Sequence, residues 1–121
     1  RFGKNMMISV QQEAISKEVV DAWYSEWGTM RETIHAAHER RDGSAQQFMV
    51  EGIEHFEQFI VGGSITETPF SVQSEYELMP INGMERLQFI KVRPGQYACY
   101  RQLDELYKET KKRCARLRMK K

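Results

Sequence analysis

The sequence predicts an α+β fold, a small antiparallel sheet in the order α-α-β-β-β-α packed against N-terminal helices and a C-terminal helix. Three observations carry this. Apolar residues recur at steps of three and four through residues 8–61. Residues 70–78 alternate apolar and polar, the period of a half-buried strand. Asn82-Gly83 and Pro94-Gly95 then punctuate the second half where hairpin connections are expected.

From Ile8 to Arg41, Ile15, Val19, Trp23, Trp27, Met30, Ile34 and Ala37 align on one helical face. Gly28 lies inside this pattern, so the segment is one helix with a weak point or two helices meeting there. Asp42-Gly43 ends it. Ser44 followed by Gln47 has the spacing of a capping box and opens a second helix. Its stripe is Met49, Ile53, Phe56 and Ile60, widened by Phe48 and Phe59, and Gly62-Gly63 stops it. A two-residue turn at Asn82-Gly83 would pair Leu78 with Leu87 and Tyr76 with Phe89 on one face. Arg93-Pro94-Gly95-Gln96 suits a type II turn, after which Tyr97 to Arg101 returns as a third strand. Leu103, Leu106, Tyr107, Cys114 and Leu117 mark a final amphipathic helix. The whole is one domain, residues 1–121, with a helical part over 8–61 and the hairpin, third strand and basic helix over 65–121.

Its 121 residues are enough for one hydrophobic core without disulfide staples. Apolar residues make up 40% and charged residues 29%, ordinary for a soluble chain, and no apolar run is long enough to span a bilayer. Two cysteines, Cys99 and Cys114, are too few for a disulfide framework, and both fall on buried-stripe positions. Two buried thiols suit a reducing compartment, so the expected location is the cytoplasm, and no membrane partner is expected. The net charge is only +1, but its distribution is uneven. Residues 1–60 hold 6 basic and 10 acidic groups, residues 61–121 hold 12 and 7. The segment 108–121 alone carries 8 basic groups against Glu109. Such a run on a helix is more often a solvated face, but it is also the footprint of an acidic partner.

Motifs for catalysis are missing. There is no Gly-x-Ser-x-Gly, no phosphate-cradling glycine loop and no paired aspartate motif, so a non-enzymatic role is expected, with no cofactor. His35 and His38 lie three apart beside Glu32 and Glu39, and Glu32 to His35 is a Glu-x-x-His spacing. Only Glu51, Glu54 and His55 could complete a metal cage, which is too few, so no metal is assigned. Tyr76, Tyr97 and Tyr100 fall on the strands near Glu75 and Glu77. Aromatic walls around one carboxylate suit a lipophilic cation through cation–π attraction, although core-edge tyrosines and solvent-facing glutamates are commoner.

Val92-Arg93-Pro94-Gly95-Gln96-Tyr97-Ala98-Cys99-Tyr100 resembles the I-P-x-G-x-Y-A-C strand of GyrI-like effector domains in MerR-type multidrug-responsive transcription regulators. Tyr76-Glu77-Leu78-Met79-Pro80-Ile81 is similar to the Y-E-L-x-x-P-I strand of those domains, with one residue fewer. The resemblance covers roughly residues 50–117 and implies Glu77 as the carboxylate that receives a cationic ligand, with Tyr76, Tyr97 and Tyr100 as walls. Two departures stand out. The second β-α-β-β half lacks its final strand pair, and residues 8–41 match neither a winged helix nor a dimer coiled coil.

Two functions follow. The first is a small-molecule-sensing or regulatory domain that binds an apolar or cationic ligand at Tyr76, Glu77, Tyr97 and Tyr100. The second is an interaction or nucleic-acid-associated protein acting through Lys111, Lys112, Arg113, Arg116 and Arg118. A sheet lacking its last strands would leave an open edge, and a homodimer that completes it is expected.

Overall fold

The computed structural model describes residues 6–120. After a 3₁₀ turn at Gln12–Ile15 come four helices: α1 (Lys17–Arg40), α2 (Ala45–Gly62), α3 (Gly83–Val92) and α4 (Tyr97–Arg118). α1 packs against α2 and α4, and α3 packs against α4.

α1 begins where Ser16 Oγ accepts the Val19 N–H at 3.3 Å. It runs unbroken through Gly28, where an added Cβ would meet nothing within 4 Å. Trp23, Trp27, Ile34 and Ala37 are buried as the spacing requires, but Val19 is 43% exposed and Val20 takes its core place. The helix ends on Arg41 in the left-handed region (φ 56°), whose N–H returns to the Ala37 carbonyl at 3.2 Å. The expected capping box at Ser44 is replaced. Ser44 caps nothing; instead Asp42 Oδ1 accepts both the Ser44 N–H (3.0 Å) and its hydroxyl (2.6 Å). Met49, Ile53, Phe56, Phe59 and Ile60 then form the buried face of α2. At Gly52 the helices approach closely: a Cβ there would lie 3.0 Å from Trp27 Cζ3 and 3.4 Å from Leu103.

The expected antiparallel sheet is absent, and among the described residues there is no strand. The α+β class is therefore corrected to all-α. Residues 63–82 form a long irregular connection, and the Asn82-Gly83 hairpin turn is the start of α3 instead. Asn82 does adopt the left-handed region (φ 56°), but as a helix N-cap, and Arg86 N–H bonds back to its carbonyl at 3.0 Å. Gly83 is required for space rather than for φ, since a Cβ there would lie 2.6 Å from Met79 Cγ. Leu87, expected opposite Leu78, is buried on α3, while Phe89, expected opposite Tyr76, is 61% exposed.

The third strand is corrected too, because Tyr97 to Arg101 is the first turn of α4. The turn before it closes with Gln96 N–H on the Arg93 carbonyl at 3.1 Å. Gly95 does not take positive φ, so the turn is not type II. What extended pairing exists is made by the N-terminal segment, through isolated bridges Ile8 to Tyr76 and Val10 to Ser64. With no sheet among the described residues, the sheet-completing homodimer has no edge to complete.

The N-terminal segment is also pinned to the end of α4. Gln12 Nε2 donates to the Leu117 carbonyl at 3.0 Å, and Arg118 donates to the Ile15 carbonyl at 2.8 Å.

Candidate functional site

α4 carries three different surfaces along its length, and the candidate residues divide among them. Its solvent face presents Arg101 and Arg116, both exposed. The side turned to α1 forms a groove of about 500 Å³ with Lys17, Val20, Asp21, Tyr24, Lys108, Lys111, Lys112, Ala115 and Arg118. Lys111 Nζ sits 4.5 Å from the Tyr24 ring centroid, a cation–π contact that fixes the ammonium over the groove wall. Asp21 is the one carboxylate in this lining. Its hydrogen bond from Lys17 (2.7 Å) holds its carboxyl below the usual range, and the fields of Lys111 and Arg118 add to that.

The five basic residues singled out from sequence therefore have different jobs. Lys111, Lys112 and Arg118 line the groove and Arg116 stands beside it, exposed. Arg113 faces the other way, its Nε donating to the Glu77 carbonyl at 2.6 Å. Arg118 also serves structure through its bond to Ile15.

The four residues proposed as one ligand site are not brought together. Tyr76 is buried, stacked on Phe70 with centroids 5.5 Å apart, and its hydroxyl accepts the Ser71 N–H at 3.0 Å. Glu77 accepts the Val10 N–H at 3.0 Å, with Lys120 Nζ 3.7 Å away, so its carboxylate is already engaged. Both sit against the Arg113 end of α4. Tyr97 and Tyr100 lie on its first turn, and sixteen residues of helix separate Tyr97 from Arg113, about 24 Å at 1.5 Å per residue.

At that first turn a second cleft opens, about 1060 Å³, between the ends of α1 and α3 and the starts of α2 and α4. His35, His38, Glu39, Arg41, Arg93 and Tyr97 are among its lining. His38 meets Tyr97 edge-on at 5.3 Å and Tyr100 at 5.7 Å. Burial, with His35 nearby, pushes the His38 imidazole below its ordinary value, and its Nε2 has no hydrogen-bond partner among the described residues. His35 Nε2 lies 3.4 Å from Glu39 Oε2.

The third surface faces inward, and sequence reasoning missed it. Trp23, Tyr107 and Trp27 stack in series, Trp23 on Tyr107 at 4.9 Å and Tyr107 on Trp27 at 4.0 Å, with Phe59 on Trp23 at 3.9 Å. Two polar strands cross this layer. Trp27 Nε1 donates to the buried Asp104 at 2.9 Å, which also holds Arg31 at 3.2 Å and Lys108 at 3.4 Å. Tyr107 donates to the Gly52 carbonyl at 2.6 Å, and its oxygen meets His55 Nδ1 at 2.9 Å, whose Nε2 meets Glu26 at 2.8 Å. Burial pushes the Tyr107 hydroxyl far above its ordinary value, so it is a structural donor rather than an acid. The sequence signal was available: Asp104 interrupts the apolar stripe between Leu103 and Tyr107.

Cys99 and Cys114 are buried and free, and burial raises both thiols, Cys114 to about 11, which leaves little nucleophilic thiolate. Among the described residues no group of three His, Cys, Asp or Glu side chains is placed to hold a metal. None of the described helices is long and apolar enough to cross a membrane.

A family model described as YpoC-like protein matches residues 17–121. A segment of 40 residues is 50% identical to a Bacillus subtilis (strain 168) protein named "Uncharacterized protein YpoC", covering 33% of this chain and 24% of that protein. No solved structure matches. The segments that resemble GyrI-like motifs lie in the loop before α3 and from the end of α3 across the start of α4.

Proposed function

This chain belongs to the YpoC-like protein family, and we propose that it acts as a non-enzymatic module that binds the phosphate backbone of nucleic acid along α4 and the facing part of α1. The observation that carries this reading is the groove: Lys17, Lys108, Lys111, Lys112 and Arg118 surround one carboxylate, with Lys111 ordered on Tyr24. Lys108, Lys112 and Arg116 follow one another at four-residue steps, about 6 Å apart along the helix axis, with Lys108 shared with Asp104 and Glu105. A regular ladder of cations suits a regular ladder of phosphates, and recognition would be of the backbone rather than of base edges. The geometry favours this over a cation sensor, because Tyr76 and Glu77 are engaged at one end of α4 and Tyr97 and Tyr100 stand at the other.

Fluorescence anisotropy with a labelled oligonucleotide tests it. Affinity should fall steeply between roughly 50 and 200 mM salt, and neutralising Lys112 and Arg116 to Gln should lower the logarithmic salt slope by about 1 per lost phosphate contact. Binding that is flat in salt, or unchanged in the double variant, would remove the reading.

A further inference from the structure

The cleft at the first turn of α4 has the opposite electrostatic character from a cation receptor. Its lining holds Arg41 and Arg93 against Glu39 alone. Among the described residues neither arginine is in an ion pair or a side-chain hydrogen bond, although Arg40 next door is engaged by Asp42 and Ser44. Asp42 itself is occupied by Ser44 and Arg40, so it does not neutralise the cleft. Arg41 is placed by a left-handed backbone where glycine would be the ordinary residue. The opposite wall is firm: Pro94-Gly95 presses on α2, a Cβ at Gly95 meeting Gln46 Cβ at 3.3 Å.

Two further features favour a ligand over solvent. Tyr97 is 47% exposed, meets His38 edge-on at 5.3 Å, and offers a ring edge and face at the cleft mouth. The cleft is open and its volume, about 1060 Å³, lies just above the usual range for small-molecule sites, far more than a lone inorganic ion fills.

We infer that this cleft binds a phosphate-bearing small molecule of nucleotide size, with Arg41 and Arg93 on the phosphates and Tyr97 against a planar ring. Arginine suits the role because its planar fork donates two parallel hydrogen bonds to phosphate oxygens. The inference is independent of nucleic-acid binding, since the basic groove begins several helical turns away along α4.

Isothermal titration of the full chain with adenosine diphosphate and, separately, inorganic pyrophosphate tests it. Both should bind, the nucleotide more tightly. Arg41→Gln and Arg93→Gln should each weaken both ligands at least tenfold, and Arg93→Lys should recover only part. Tyr97→Ala should weaken the nucleotide and leave pyrophosphate unchanged. All three positions are at the surface, and an unchanged circular-dichroism melt shows that each variant is folded. The inference is overturned if neither probe binds, or if the arginine variants bind as the parent does. It is equally overturned if Lys112→Gln with Arg116→Gln abolishes binding while the cleft variants do not, which would assign the anion to the groove.

Discussion

Gly52 and Tyr107 show how single residues hold this molecule. The glycine lets α2 come down on Trp27, and its carbonyl receives the Tyr107 hydroxyl at 2.6 Å. Gly52→Ala should destabilise by about 1–3 kcal/mol in urea denaturation, because a Cβ would sit 3.0 Å from the indole in a packed core. Tyr107→Phe keeps the stacked ring but removes the hydroxyl that serves both Gly52 and His55. A loss of about 1–3 kcal/mol is expected for the abandoned polar partners. If that variant melts like the parent, the hydroxyl contributes packing only. None of this pairing was legible beforehand. Trp23, Trp27 and Tyr107 were placed on the right faces by spacing, but which rings stack depends on the helix crossing, and spacing along one chain does not encode it.

At the scale of elements, α1, α2 and the second half of α4 were legible because each has a sustained apolar period of three and four. The error lay between residues 70 and 101. Phe70, Val72, Tyr76 and Leu78 alternate, yet Val72 is 47% exposed, so the alternation does not mark one buried face. α3 hid because it is apolar on both sides, with Leu87 and Ile90 inward and Phe89 and Val92 outward, and a two-sided helix has no period to see. Tyr97 to Arg101 reads as a strand only because it follows the Pro94-Gly95 turn, although Cys99, Leu103 and Leu106 already keep helical spacing into α4.

The loop that starts α2 gives a pH prediction. The Asp42 carboxyl is held down at about 2, first by the Ser44 hydroxyl and N–H and then by Arg40. A lowered carboxylate contributes stability above its unfolded value near 3.8 that is lost as pH falls toward 2. The melting temperature of Asp42→Ala should therefore lie below the parent's at pH 6, and the gap should close by about pH 2. A constant gap across this range would mean the side chain acts by shape rather than by charge.

Across the whole molecule, charge is segregated as the sequence suggested, but its organising surface is an α1/α4 seam. Two staples at its far end, Gln12 to Leu117 and Arg118 to Ile15, join residues 105 and 103 apart in sequence. Gln12→Ala should speed amide exchange at Leu117 through Lys120 while leaving α2 protected. Uniform exchange across α4 would show that the staple contributes nothing locally. The 3₁₀ turn that supplies those partners lies ahead of residues 17–121, the part matched by the family model. The last turn of α4 thus behaves like a latch whose keeper is elsewhere in the chain. Pulling residues 8–15 away would let Arg118 swing loose, dimming the positive field of the groove without altering a single charge.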